Sequence, residues 1–247
     1  GGTVDVDGGY YKTSGTGSPV IYSTADITVS NAYLESTASQ GVVVEGKNSV
    51  TLNDCELVAD NNTKNSDKSD TYQAVMIYQS MSGDADSGTS SFTMNGGSLT
   101  SKNGHVFHVT NTNAIITLSD VSIVNKDSEG ILLSVCADGW SGANNVATVN
   151  ADNQVLEGTI LVGDDSELTL NLTNGSTFEG CIDGNITNAD GETVSTKVGT
   201  VSVSIDSDST WTLTADTYIS SFDGDASSII SNGYTLYVNG TALTGTK

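Results

Sequence analysis

The chain reads as an all-β protein wound as one right-handed parallel β-helix. Three observations carry that reading: an apolar phrase that returns about every 22–24 residues, a β-branched segment that follows each copy, and a column of Asn, Asp and Gly inside the phrase. Residues 27–35 read ITVSNAYLE, 50–58 VTLNDCELV, 92–100 FTMNGGSLT and 116–124 ITLSDVSIV. From Ile27 to Val50 is 23 residues and from Phe92 to Ile116 is 24, while Val50 to Phe92 spans 42, one coil plus an insertion. Looser copies open at Leu168 and Val201. A fixed period of this length with alternating apolar positions suits one turn of a solenoid whose units bury their faces only by stacking.

Overlaying the copies produces columns. Ile27, Val50, Phe92 and Ile116 share the first position, Val29, Leu52, Met94 and Leu118 the third, and Leu34, Leu57, Leu99 and Ile123 the eighth. They alternate with polar residues, so they should point into the coil. The fifth position holds Asn31, Asp54, Gly96 and Asp120, residues that tolerate the left-handed backbone of a bend. The fourth holds Ser30, Asn53, Asn95 and Ser119, where stacked side chains can bond along the axis. A second strand follows in each coil: GVVVE from Gly41, AVMIY from Ala74, HVFHV from His105, GILLSV from Gly130 and GTILV from Gly158. Its β-branched content suits a parallel sheet buried on both faces. About nine coils at ~4.8 Å each would make a rod some 40 Å long. The expected division is one domain: residues 1–25 as an N-terminal cap, 26–233 as coils, and 234–247 as a C-terminal cap hairpin turning at Asn239–Gly240.

The regular bending resembles the right-handed β-helix superfamily that includes pectate lyases, polygalacturonases and many bacterial surface proteins, over residues 26–233. The resemblance implies a fold and leaves function open, because that fold hosts enzymes, binders and passive stalks.

Composition narrows the partners. The net charge is −22, with eight lysines and no arginine. A phosphate backbone needs basic residues to neutralise it, so nucleic acid is not expected, and an anionic membrane surface is disfavoured for the same reason. No run is long and apolar enough to span a bilayer. The chain begins at Gly1–Gly2, and fold and composition point to a secreted or cell-surface protein whose signal peptide was removed. Cys55, Cys136 and Cys181 are odd in number and widely spaced, which suits small buried apolar residues rather than a disulfide framework or a zinc site.

Three insertions, 80–90, 137–145 and 183–200, follow the second strand of their coils and should line one edge of the solenoid. A fourth, 60–71, enters the second strand of its coil from the other side. Trp140 lies in the second insertion among small polar residues, as a platform for the apolar face of a sugar. Tyr78 ends a strand beside an insertion, and Tyr33 sits in an outward column with Glu56, Ser98 and Ser122, so both join Trp140 as ligand-binding candidates. Trp211 falls ten residues after Val201, as Phe178 does after Leu168, and belongs in the core. Calcium wants six to eight oxygens, and Asp84, Asp86, Asp138 and Asp183 are the acids expected to gather on the shared rim. His105 and His108, three apart on a strand, are expected on opposite faces, one in the core and one in solvent.

Catalysis is not expected. Pectate-lyase-like chemistry uses an Arg or Lys base, and this chain has no arginine. Polygalacturonase-like hydrolysis needs paired Asp as acid and base, in motifs such as NTD, GHG and RIK that are absent here. The architecture, the acidity and the missing basic residues are similar to non-catalytic β-helix proteins of anaerobic bacteria that bind acidic sugars with calcium. The resemblance implies a monomeric extracellular module for polysaccharide or for host or plant glycan. A purely structural stalk or adhesin segment, marked by outward columns of Ser and Thr, is the alternative, and a degenerate lyase or hydrolase the second.

Overall fold

The computed structural model describes residues 1–64 and 69–247. The centre of the 60–71 insertion, residues 65–68, lies outside the described residues. The described chain is all-β, and its one helical element is a single 3-10 turn at Ala226–Ser228.

Three parallel sheets organise it, and successive strands in the chain fall into different sheets. The long sheet has nine strands, in order Thr3–Asp7, Asp26–Ser30, Ser49–Asn53, Thr89–Asn95, Thr112–Ser119, Asn145–Asp152, Ser166–Thr173, Thr200–Ile205 and Ser221–Asp223. A second sheet joins Tyr10–Thr13, Tyr33–Ser36, Glu56–Ala59, Ser98–Ser101 and Ser122–Asn125. The third joins Ile21–Ser23, Val42–Glu45, Gln73–Tyr78, His105–Thr110, Ile131–Val135, Thr159–Val162 and Ile182–Asp183. In each, a strand pairs with its counterpart one repeat on, an arrangement compatible with a β-helix-like winding.

Register agrees with the sequence columns. Ile27 faces Val50, Val50 faces Phe92, and Phe92 faces Ile116 in the long sheet, while Leu34, Leu57, Leu99 and Ile123 are successive partners in the second. These apolar residues form one continuous core cluster. The looser copies sit two residues off: Leu170, not Leu168, lies in the Ile116 column, through Val149. The fifth-position bend is left-handed throughout, with φ of 56° at Asn31, 51° at Asp54, 65° at Gly96 and 55° at Asp120. Beside it, a Cβ on Gly97 would stand 2.0 Å from the Cys55 carbonyl oxygen, so only glycine fits between those repeats. Asn95 Nδ2 donates to Asn53 Oδ1 at 2.9 Å, which begins the expected axial ladder.

Three features depart from expectation. Residues 1–25 do more than close an end: Thr3–Asp7, Tyr10–Thr13 and Ile21–Ser23 each add a strand to one of the three sheets. The second sheet stops at Ser122–Asn125, and the strand one repeat on, Val155–Glu157, begins a separate four-stranded sheet with Thr177–Gly180, Thr210–Leu213 and Ile229–Ile230. At the break, the buried Gln154 amide replaces the missing ladder, donating to the Val121 carbonyl at 2.7 Å and accepting from the Val121 N–H at 2.8 Å. Finally, Cys181 is only half-buried, whereas Cys55 and Cys136 are buried; all three thiols are free. At the C-terminal end Leu236–Val238 and Thr241–Ala242 pair antiparallel around Asn239 and Gly240, whose φ values of 47° and 76° suit a tight hairpin.

Candidate functional site

The outward face of the third sheet carries the chemistry. On a solvated sheet this face would be polar and open. Here Val43, Met76 and Tyr78 form a small apolar cluster on it, and Ile131, Cys136, Leu161 and Ile186 form another. The inserted segments cover both.

Trp140, from the 137–145 insertion, packs on the first cluster. Its ring meets Tyr78 edge-on, with centroids 4.9 Å apart and planes 66° apart. Trp140 is half-buried and Tyr78 buried, so the indole is a braced ring and the tyrosine is its support rather than a second open platform. The Tyr78 hydroxyl lies 2.6 Å from that of Tyr22, which donates to Glu45 Oε2. Glu45 is 1% exposed, and its Oε1 has no hydrogen-bond partner among the described residues. Burial, with the tyrosine–carboxylate contacts, raises the Tyr22 hydroxyl, and burial pushes that of Tyr78 up to about 12, so both remain protonated donors. Tyr22 itself is 49% exposed, and Tyr78 links it to Trp140, touching Tyr22 through its hydroxyl and the indole through its ring.

A polar chain crosses the same face. Val106 and Phe107 both join the core, as do Ala74 and Val75 one repeat earlier and Leu132 and Leu133 one repeat later, where the register also shifts. Strict alternation is therefore broken, and His105 and His108 fall on one outward face. This corrects the expectation of one core and one solvent histidine: both are buried. Ser134 Oγ lies 2.7 Å from Nδ1 of His105 and 2.7 Å from Nδ1 of His108. His108 Nε2 lies 3.0 Å from Asp138 Oδ2, which also accepts from the Ser69 hydroxyl at 2.7 Å, while Asp138 Oδ1 accepts from the Asp70 amide at 2.9 Å. Burial acts to raise the Asp138 carboxyl, but the bonds from His108, the Asp70 amide and Ser69 offset it and hold the group below its ordinary value. Burial, reinforced by His108, drives His105 down to about 3. Burial beside Asp138 lifts the Cys136 thiol to about 12, which makes it an inert apolar filler.

Asp138 thus anchors the 60–71 insertion to the 137–145 insertion, and the segment expected from the other side reaches this face after all. The 183–200 insertion joins them: Asn185–Thr187 and Thr193–Thr196 form an antiparallel hairpin, the Ala189 amide donates to the Asp70 carbonyl at 2.7 Å, and Lys64 pairs with Asp70 at 2.8 Å and with Asp190. Where the hairpin meets the sheet, a pocket of about 130 Å³ opens, lined by Tyr72, Asn103, His105, Asp127, Glu129 and Asn188.

The four acids expected to share a calcium ion do not converge. Asp138 is committed to His108 and Ser69, Asp84 and Asp86 are exposed on the 80–90 loop, and Asp183 caps its own turn through the Gly184 and Asn185 amides. Among the described residues no group of three or more His, Cys, Asp or Glu could hold a metal ion. Tyr33 lies away from this face, in the second sheet, half-buried and stacked on the exposed Tyr10 at 4.8 Å. Trp211 is in the core, stacked on Phe178 at 5.4 Å, with its indole N–H donating to the Gly180 carbonyl at 3.0 Å.

Asp138, His108 and Ser134 stand in the order of a hydrolase triad, but Ser134 has no exposed surface and its hydroxyl is shared between two imidazoles. A nucleophile needs reach to a substrate carbonyl, which this serine lacks. Comparison with protein-family models, curated proteins and solved structures finds no match to the chain.

Proposed function

We propose that this chain is a non-catalytic, extracellular glycan-binding module, built as a single right-handed parallel β-helix of the pectate-lyase-like kind and secreted or displayed on a cell surface. The observation that carries the reading is the braced indole of Trp140. It is half-exposed and held edge-on by Tyr78, whose hydroxyl meets that of the exposed Tyr22, itself bound to Glu45. A rigid aromatic face beside fixed hydroxyl and carboxylate groups is how sugar rings are held: the apolar face stacks and the hydroxyls bond. The enclosure of Ser134 favours binding over hydrolysis. The ligand is a neutral or calcium-bridged acidic polysaccharide, since a net charge of −22 repels a free polyanion. Calcium would enter as that bridge, with Asp84 and Asp86 as its exposed contacts on the loop beside Tyr78.

A glycan array, followed by titration of the strongest hit with and without Ca²⁺, tests the reading. Wild type is expected to bind and Trp140→Ala to lose at least tenfold in affinity. A Trp140→Ala variant that binds as well as wild type would refute it.

A specific observation favours a second reading, a structural stalk. The outward positions of the long sheet stack as Thr28, Thr51, Thr93 and Thr117, then Asn150, Asn171 and Ser204, a continuous polar column. Absence of any glycan hit, with an unchanged melting temperature in every additive, is what that reading expects.

A further inference from the structure

We propose that the pocket at His105 binds a primary ammonium group, and that the buried chain behind it releases that group when it takes up a proton. The pocket is walled by four separate stretches of the chain: Tyr72, Asn103 to His105, Asp127 with Glu129, and Asn188 on the hairpin. Its volume of about 130 Å³ suits one small head group. Its charged lining is acidic, Asp127 and Glu129, and its floor is a histidine that is 92% buried by virtue of 8% exposure. The Nδ1 of that histidine is engaged by Ser134, and its Nε2 has no hydrogen-bond partner among the described residues. An ammonium supplies three N–H donors and one positive charge, which match the unpaired ring nitrogen and the two carboxylates, although the Asp127 oxygens also accept from the Gly104 and Glu129 amides and Asn188 Oδ1 accepts from those of Asp190 and Glu192.

The chain fixes what His105 presents. One hydroxyl proton on Ser134 can serve only one of its two imidazole neighbours. With Asp138 ionised and both histidines neutral, His108 Nε2–H donates to Asp138, and Ser134 donates to His108 Nδ1. His105 Nδ1–H then donates to Ser134, which leaves Nε2 as the ring nitrogen with a free lone pair on a residue that lines the pocket. Now let one proton arrive at that lone pair. The Nδ1 proton of His105 passes to Ser134, and the Ser134 proton passes to His108 Nδ1. The net product is a His108 imidazolium against the Asp138 carboxylate, with His105 neutral and its Nε2 carrying a hydrogen. No proton is created or lost, and the pocket floor has changed from acceptor to donor. Burial disfavours charge on His105 itself, and the Asp138 carboxylate lies 3.0 Å from His108 Nε2. The titratable groups facing this chain are Asp127, Glu129 and Tyr72 on the pocket side and Asp70, Asp138 and Cys136 on the other.

The test is ¹⁵N-histidine NMR of the intact chain during titration with methylammonium chloride, with tetramethylammonium chloride as the donor-free cation of equal charge. Methylammonium is expected to shift the His105 Nε2 resonance saturably above neutral pH, and tetramethylammonium to leave it in place. Glu129→Gln should weaken the response about threefold, the effect of one partly screened charge, while the distant Glu157→Gln should not change it. Lowering the pH should abolish binding, and in Ser134→Ala that loss should move to lower pH because the link to Asp138 is cut. Equal shifts from both cations, no shift at saturating methylammonium, or an unmoved pH midpoint in Ser134→Ala would each overturn the proposal. The wild-type titration needs no variant to fold. A lysine side chain as the natural source, rather than a free amine, would appear as equal binding of Nα-acetyl-lysine amide.

Discussion

Replacing Asp138 by alanine isolates the group that ties the inserted segments to the third sheet. The carboxylate accepts from His108, Ser69 and the Asp70 amide. His108 has no exposed surface, so its Nε2–H would lose its acceptor with no water to replace it, which costs about 1–3 kcal/mol. Ser69 and Asp70 are half-buried and recover water, so each loses only the net value of one bond, about 0.5 kcal/mol at the low end of the range. The total comes to about 3 kcal/mol. For a chain of this size about 2–4 °C of melting temperature follows each kcal/mol, so a fall of about 6–12 °C is expected. Circular dichroism melts of wild type, Asp138→Ala and Asp138→Asn measure it, and the asparagine, which keeps the volume and one acceptor, should fall between the other two. Asp84→Ala, at an exposed loop position, should stay within about 0.5 kcal/mol of wild type. An Asp138→Ala melt that matches wild type would refute the anchoring role.

Further outcomes follow from the same structure. His105 is held near 3 by burial and returns to about 6.5 when unfolded, so the unfolded chain binds the extra proton between those values. Stability should therefore be full above about pH 6.5 and decline as pH falls towards 3, with Asp138, whose folded value is depressed, adding to the loss below about pH 4; urea titrations at stepped pH check it, and His105→Phe should flatten the upper part of the decline. At the left-handed bend, Asp120→Gly should be nearly neutral and Asp120→Val should cost about 1–2 kcal/mol by denaturant melt. Gly97→Ala meets the Cys55 carbonyl and should cost about 3 kcal/mol or prevent soluble expression. Chelation with EDTA should leave the melting temperature of the free chain unchanged, because Asp84, Asp86, Asp138 and Asp183 share no site; a drop would point to a metal bound elsewhere.

The sequence columns were legible because burial, period and backbone angle all act on the same residues. Ile27, Val50, Phe92 and Ile116 had to be apolar to fill one continuous core, and Asn31, Asp54, Gly96 and Asp120 had to accept a left-handed bend, so composition alone aligns them. Trp211 was legible for the same reason, since its ten-residue offset from Val201 matches that of Phe178, its actual partner. The outward face was less legible. Alternation assigned His105 and His108 to opposite faces, and it failed because two consecutive residues of the strand, Val106 and Phe107, both join the core. One signal was present: Ser134 follows His108 by 26 residues, close to one repeat, and the two are direct partners in the sheet. Asp138 could not be found that way, because a loop acid has no column, and its partner is set by how three insertions fold over one another.

Under the proposed function, ligand meets the chain at Trp140 and not at random along its polar faces. The chain has two tryptophans, which provide their own control. In a ¹H–¹⁵N spectrum of the indole groups, addition of the best glycan ligand should move the Trp140 signal saturably and leave that of Trp211, buried and bonded to the Gly180 carbonyl, where it was. Saturable binding with both indole signals unmoved would rule out Trp140 as the ligand platform.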